Sequence, residues 1–317
     1  MVTAANQGWR SYWKSDRPAS CVPENAATAK EIAEFWNGLF AELQDGSRVL
    51  DIATGNGILL AHAAAAASRG GRTFRLTGVD LADIDPHKFL SDSPPGFENA
   101  RFIGGTAAED LPFETGEFDV VVSQYGLEYA QLEKALAEVE RVLAPGGKLT
   151  WLAHCEDSEV VRQNRGQGEQ VQFLLAPRGP VEAMEKFVER TRKGKSLSYA
   201  NQRLQAAMAD AEAYCREHPP AGIVAEVCTV IAETANRWQA YRPEDLASML
   251  ADSRQRLIRH RQRINDLVGA VITPERLQRI EQCLAGKAWS TASITMLRAG
   301  AEEVPVGLII SSERRTT

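Results

Sequence analysis

Between Glu24 and Leu43 apolar residues recur at helical spacing, with Ile32, Phe35, Trp36, Leu39, Phe40 and Leu43 on one stripe, and Asp45-Gly46 stops the run. A short apolar segment follows, Arg48 to Ile52, which predicts a strand. Ile58 to Ser68 then predicts a helix whose five consecutive alanines, Ala63 to Ala67, allow close packing on a sheet; Gly70-Gly71 closes it. Phe74 to Val79 predicts a second strand, Arg101 to Gly104 a brief third, and Phe118 to Ser123 a fourth, apolar enough to be buried on both faces. Between 82 and 99 the residues Asp83, Asp85, Pro86, Pro94, Pro95 and Gly96 allow only a short or irregular helix. Leu132 to Leu143 is helical by its spacing of Leu132, Leu136, Val139, Val142 and Leu143, and Pro145-Gly146-Gly147 turns the chain into a fifth strand, Lys148 to His154.

This alternation of strand and helix predicts an α/β fold. From Glu156 to about Gly286 the pattern changes to a stretch rich in Ala, Glu, Gln and Arg. Helical spacing covers Val181 to Arg190, Leu204 to Glu217, Ile223 to Trp238 and Pro243 to Gly269. Trp289 to Leu297 and Val304 to Ser311, around Arg298-Ala299-Gly300-Ala301, then read as a closing hairpin. Two more strands after the helices favour an insertion over a separate second domain. The expected divisions are 1–45, an aromatic leader with its helix; 46–155 with 286–317, the ligand-binding domain; and 156–285, a helical insertion. That insertion is expected to cap the substrate mouth or to serve as a dimerisation arm.

One stretch organises the rest: Val49-Leu50-Asp51-Ile52-Ala53-Thr54-Gly55-Asn56-Gly57-Ile58-Leu59-Leu60. A strand ends in an acid, a turn of small residues follows, and a helix begins. Ala53, Gly55 and Gly57 let a ligand approach the backbone, and the helix's first-turn amides carry partial positive charge. An anionic group is expected there. A dinucleotide fingerprint, G-x-G-x-x-G/A from Gly55, would need a small residue where Leu60 stands. Asp80 closes the second strand at the end where doubly wound sheets bind ligands; its alternative role is to cap the next turn.

The run Asp51-x-Ala53-x-Gly55-x-Gly57 resembles the first motif of the class I S-adenosylmethionine-dependent methyltransferases. Val79-Asp80, Phe118-Asp119-Val120-Val121-Val122-Ser123 and Arg141-Val142-Leu143-Ala144-Pro145-Gly146-Gly147-Lys148-Leu149 follow in that family's order. Within it the likeness is to the subgroup of ubiquinone and menaquinone C-methyltransferases and many small-molecule methyltransferases, with motifs VLD-x-A-T-G-x-G and A-E-x-L-P-F. It covers roughly residues 30 to 155. The resemblance implies a doubly wound, mostly parallel, seven-stranded Rossmann-like sheet ending in an antiparallel hairpin, with S-adenosylmethionine as cofactor. Gly55, Asn56 and Gly57 would then hold the methionine carboxylate and Asp51 the ammonium group. Asp80 would take both ribose hydroxyls, Leu81 would cover the adenine, and Ser123 or Gln124 would complete the methionine end. The family places an aspartate against the adenine amino group where this chain has Ala107, leaving the amides of Ala108 and Glu109 to meet the adenine edge.

Methyl transfer from a sulfonium needs alignment and exclusion of water more than acid and base groups. If the acceptor must lose a proton, Tyr125 and His154, at the ends of strands four and five, are the candidates. Tyr12 and Trp13, in an aromatic leader, are candidates for a lid or substrate contact; a staple on the core is the alternative. A net charge of −6 argues against nucleic acid as the partner and a small organic acceptor is expected. The basic run Arg254 to Arg263 reads as a solvated helix face. Five scattered cysteines with no C-x-x-C pair suggest neither disulfides nor a metal site. No membrane span or leader peptide is evident and a cytoplasmic location is expected. Two other functions stay open: an NAD-dependent oxidoreductase, and a non-catalytic cofactor binder that uses its helices for partners.

Overall fold

The computed structural model describes Trp13 and residues 26–89 and 95–316. Tyr12, a lid candidate, lies outside the described residues. Two compact units are present, Met1–Arg162 with Asp266–Thr317, and Gln163–Asn265.

The first unit is built on a seven-stranded sheet of order β3-β2-β1-β4-β5-β7-β6. Its strands are β1 (Arg48–Ile52), β2 (Arg75–Asp80), β3 (Arg101–Gly104), β4 (Phe118–Gln124), β5 (Leu143–Ala153), β6 (Ser293–Ala299) and β7 (Val304–Glu313). The pairings among β1 to β5 are parallel, whereas β7 runs antiparallel to both β5 and β6. The expected doubly wound sheet with a closing hairpin is therefore present. Chain order reverses between β1 and β4, so a crevice for ligands opens at their carboxyl ends.

Successive side chains of a strand point to opposite faces, and the core divides accordingly. Leu50, Ile52, Val121, Trp151 and Ala153 join one cluster, together with Leu136 and Val139 of α4 (Leu132–Val142) and Ile280 and Leu284 of α10 (Pro274–Leu284). Val49, Val120, Val122 and Leu152 join the other, with Trp36 and Phe40 of α1 (Ala26–Ala41) and the alanines of α2 (Ile58–Arg69). The region after β2 forms only the one-turn α3 (Pro86–Phe89), as its prolines require.

Several boundaries differ from the pattern-based expectation, the start of β5 the most informative of them. β5 begins at Leu143 rather than Lys148, because Pro145-Gly146-Gly147 is absorbed as a register shift against β4 instead of forming a free turn. Gly146 has φ +79, and a β-carbon at Gly147 would lie 2.8 Å from the Ala144 carbonyl oxygen. α10 is a helix that periodicity did not single out; it starts with Thr273 as N-cap, whose hydroxyl accepts from the Arg276 amide.

The second unit is helical. It holds most of α5 (Glu159–Leu175), then α6 (Pro180–Arg192), α7 (Ser198–Glu217), α8 (Gly222–Asn236) and most of α9 (Pro243–Ala270). It has a core of its own, from Leu174, Val181, Met184, Phe187, Leu204, Val224, Ile231 and Leu246. Phe173 stacks on Tyr214 with ring centroids 4.4 Å apart. Among the described residues no helix is long and apolar enough to cross a membrane.

Candidate functional site

The loop after β1 is shaped by backbone conformations that favour small residues: φ is +59 at Ala53, +53 at Gly55 and +81 at Gly57. The Thr54 amide donates to the Val79 carbonyl (3.0 Å) and the Gly57 amide to the Thr54 carbonyl (2.8 Å), which curls the loop over the end of β2. Gly57 is the N-cap of α2 and supplies no side-chain acceptor, so the first-turn amides of that helix have no intrahelical acceptor.

Asp80 is tied to this loop directly. One carboxylate oxygen accepts from the Gly55 amide at 2.9 Å and the other from the Ala82 amide at 2.7 Å. Beside it Leu81 is 52% exposed, although it is a large apolar side chain. Asp51 is buried and accepts from the Thr54 hydroxyl at 2.6 Å. Burial pushes Asp51 up to about 8, against the Thr54 hydrogen bond and assisted by the neighbouring charge of Asp80. Burial likewise pushes Asp80 up to about 6, against the amides of Ala82 and Gly55. Two carboxyls are thus held out of water at an energetic cost that cationic or hydroxyl groups of a ligand would offset.

The loop after β3 runs alongside. The Thr106 amide donates to the Asp80 carbonyl (2.9 Å), and the Asp110 amide to the carbonyl of Ala107 (3.2 Å), so Ala107, Ala108 and Glu109 form a turn beside the end of β2. Glu109 accepts from the Gln131 amide at 2.7 Å. Arg141 fixes the far end of the loop, donating to the carbonyls of Leu111 (2.9 Å) and Phe113 (2.6 Å).

At the end of β4, Ser123 is consumed by structure: its hydroxyl donates to the Ile52 carbonyl (2.9 Å) and accepts from the Leu127 amide (3.0 Å). Gln124 accepts from the Trp36 indole at 2.6 Å, a contact from α1 that nothing in the sequence pattern indicated. A β-carbon at Gly126 would lie 2.3 Å from that of Ala53, so the loops after β1 and β4 touch at their smallest residues.

Tyr125 has φ +53, its hydroxyl donates to the Val306 carbonyl (3.1 Å), and its ring lies on His154 with centroids 4.4 Å apart. His154 is wholly buried. Glu128, missed in the sequence reading, organises this corner. It accepts from the Trp151 indole (2.9 Å), the His154 amide (2.9 Å) and the His154 ring at Nδ1 (2.6 Å). The signal was there, an acid inside the aromatic stretch Tyr125-Gly126-Leu127-Glu128-Tyr129, but an exposed glutamate gives the same letters.

Trp13 packs on the loop itself. A β-carbon at Gly55 would lie 2.5 Å from two carbons of its ring, and the indole is buried. The structure therefore brings Trp13, Asp51, Ala53 to Gly57, Asp80, Leu81, Ala107 to Glu109 and the end of β4 together at the carboxyl ends of the parallel strands. Among the described residues no group of three or more His, Cys, Asp or Glu side chains could hold a metal ion.

Residues 49–147 match a family described as methyltransferase domain. The ubiquinone/menaquinone biosynthesis C-methyltransferase of Stutzerimonas stutzeri is 37% identical over 130 residues, which span 37% of this chain and 47% of that protein. Residues 49–147 are a class I S-adenosylmethionine-dependent methyltransferase domain. The ribosomal protein L11 methyltransferase of Thermus thermophilus is also similar to the chain, 35% identical over 111 residues, or 35% of this chain and 39% of that protein. Among solved structures, the YcgJ protein of Bacillus subtilis is 19% identical with a TM-score of 0.36, covering 90% of this chain and 100% of that one. The chain spans about half the length of the first curated relatives it matches. The methyltransferase domain ends before the helical unit begins.

Proposed function

We propose that this protein transfers the methyl group of S-adenosylmethionine to a small organic acceptor. One observation carries the reading: the buried Asp80 carboxylate at the end of β2 is fastened to the glycine loop of β1 by the Gly55 amide, next to an exposed Leu81. This is the donor and acceptor set that a nucleoside with an amino-acid tail requires. Asp80 would accept from the ribose hydroxyls, since each of its oxygens keeps a lone pair after bonding one amide. Leu81 and the turn Ala107 to Glu109 would flank the base, where the small Ala107 leaves the backbone to meet it. Asp51 would receive the ammonium group, and the first-turn amides of α2, with Asn56 and Gly57, the carboxylate.

When bound, the sulfonium supplies an activated methyl group with a good leaving group. The chain's own work is to align an acceptor with it and to keep water away. Trp13, seated on Gly55, is placed to cover the loop, and Gln124, held by Trp36, borders the end of β4. His154 acts here as a positioning residue: Glu128 fixes its ring, and its ring supports Tyr125. Tyr125 is then held in the turn after β4 with its hydroxyl committed to the Val306 carbonyl.

The relatives include an enzyme of quinone biosynthesis and a ribosomal protein methyltransferase, so they do not choose the acceptor. Preference for a small acceptor rests on the apolar and aromatic side chains of Trp13, Leu81, Tyr125 and Tyr129 around these loops. Calorimetry with S-adenosylhomocysteine tests the site: saturable one-to-one binding is expected, and none, or tight binding of NAD instead, overturns the reading. Release of S-adenosylhomocysteine from a panel of small acceptors then tests the activity.

A further inference from the structure

The helical unit contains a cleft of about 340 Å³ between α6, the turn after it, and the start of α7. Six cationic side chains line it: Arg178, Lys186, Arg190, Lys193, Lys195 and Arg203. Only two acids, Glu182 and Glu189, face them. A chain whose net charge is −6 thus concentrates an excess of positive charge in one concave place.

The two acids do not neutralise the set. Glu189 is engaged by Lys193 at 2.6 Å and by Lys186 at 3.6 Å. A Glu182 oxygen accepts from the Arg178 backbone amide, not from its guanidinium. Arg190 uses its Nε to hold the Ser196 carbonyl at 2.7 Å, which fixes the turn. The side chains of Arg178, Lys195 and Arg203 make no ion pair or hydrogen bond among the described residues. Arg178 moreover sits at φ +67, a backbone conformation unfavourable for a side chain of that size.

Like charges gathered in a concavity repel one another, and a surface helix with no ligand to hold would place acids at i+4 from its bases to relieve this. Here Lys195 and Arg203 have no acid four residues on, and Arg178, which has Glu182 there, binds it through its backbone amide and leaves its guanidinium without an ion pair among the described residues. Guanidinium and ammonium groups converging on one volume match the several acceptor oxygens of a phosphate group, with arginine able to bind two at once. The phenol ring of Tyr199, 63% exposed, also lines the cleft and offers a flat apolar surface to the organic part of a ligand. We propose that this cleft is a binding site for a phosphate-bearing ligand carrying at least two negative charges. It is a site in the helical unit, independent of the methyl-transfer reading.

The test uses the full chain and inorganic pyrophosphate as probe, titrated by calorimetry at 0.15 M salt, where charges separated by more than about 8 Å are screened from each other. Saturable binding is expected, weakened at least 10-fold by the double substitution Lys195→Ala with Arg203→Ala. It should be changed less than 2-fold by Arg256→Ala, which removes a charge from the same unit outside the cleft. Circular dichroism checks that the double variant keeps its helices; should it fail to, Tyr199→Ala and Lys195→Glu are the replacements, with the same 10-fold loss expected from the latter. A second arm offers vesicles of phosphatidylcholine with and without phosphatidic acid. Pyrophosphate binding without vesicle binding identifies a soluble phosphate compound as the ligand class, and binding to phosphatidic acid vesicles identifies a lipid headgroup. Absence of both, or pyrophosphate binding that the cleft variants leave unchanged, overturns the proposal.

Discussion

Replacing Asp80 with asparagine should make the protein bind its cofactor worse and fold no worse, a combination that a merely structural aspartate would not give. Burial lifts the Asp80 carboxyl from 3.8 to about 6, so keeping it ionised at pH 7.5 costs the folded state about 3 kcal/mol. The sign follows from the direction: the folded chain holds the proton more tightly than the unfolded one. The cost is therefore absent below pH 3.8 and is reached in full above about 6. Asparagine removes it but turns an NH2 group toward one of the two amides, Gly55 or Ala82, a loss of about 1–3 kcal/mol. At pH 7.5 Asp80→Asn should thus lie between no change and about 2 kcal/mol more stable. At pH 4 the advantage disappears and the variant becomes the weaker. Loss of charge-assisted hydrogen bonds to ribose, worth about 1.5–3 kcal/mol, should lower affinity for S-adenosylhomocysteine by about 10- to 100-fold. Thermal unfolding at the two pH values and calorimetry at pH 7.5 check the two halves. A variant that melts several degrees lower at pH 7.5 while binding S-adenosylhomocysteine normally would refute the reasoning.

Three further outcomes follow from the same geometry. Glu128→Ala strands the Trp151 indole and both His154 donors in the core and should cost about 3–5 kcal/mol by urea denaturation, with Glu128→Gln costing less. Gly55→Ala meets the Trp13 ring at 2.5 Å and a left-handed φ of +53, the latter alone worth about 1–2 kcal/mol. In a Trp13→Ala background the collision is gone and only the backbone strain persists, so a double-mutant cycle on stability should show coupling of about 0.5–3 kcal/mol; strict additivity would place Trp13 elsewhere. Thr54→Val removes the hydrogen bond that holds the Asp51 carboxyl down and should drive it above about 8, weakening S-adenosylhomocysteine binding at pH 7.5. The deficit should narrow as the pH is raised and Asp51 ionises, and a deficit independent of pH would assign Thr54 a purely steric role.

Much of the frame was legible because it rests on local rules. Period-two and period-3.6 patterns placed β1 at Arg48–Ile52 and β3 at Arg101–Gly104 without displacement, and small residues with a terminal acid marked the loop after β1. Where boundaries moved, a contact distant in sequence moved them. β5 starts early because the backbone of Arg314, just past the last strand, accepts from the Gly146 amide and donates to the Gly147 carbonyl, drawing that glycine pair into the sheet. The roles of Ser123 and Gln124 were similarly out of reach, since their partners, Ile52 and Trp36, are 71 and 88 residues away.

By itself the sequence determined the order of strands and helices, the glycine-lined turn and the acids that end β1 and β2, for these depend on neighbours a few residues apart. Tertiary structure alone decided what those acids experience. Only when β1 and β2 lie side by side does Gly55 reach Asp80, and only when β4 and β5 pair does Glu128 meet Trp151 and His154. Burial, which lifts Asp51 and Asp80 far from their ordinary ionisation, is a property of everything packed around a residue, and no short stretch of chain carries it.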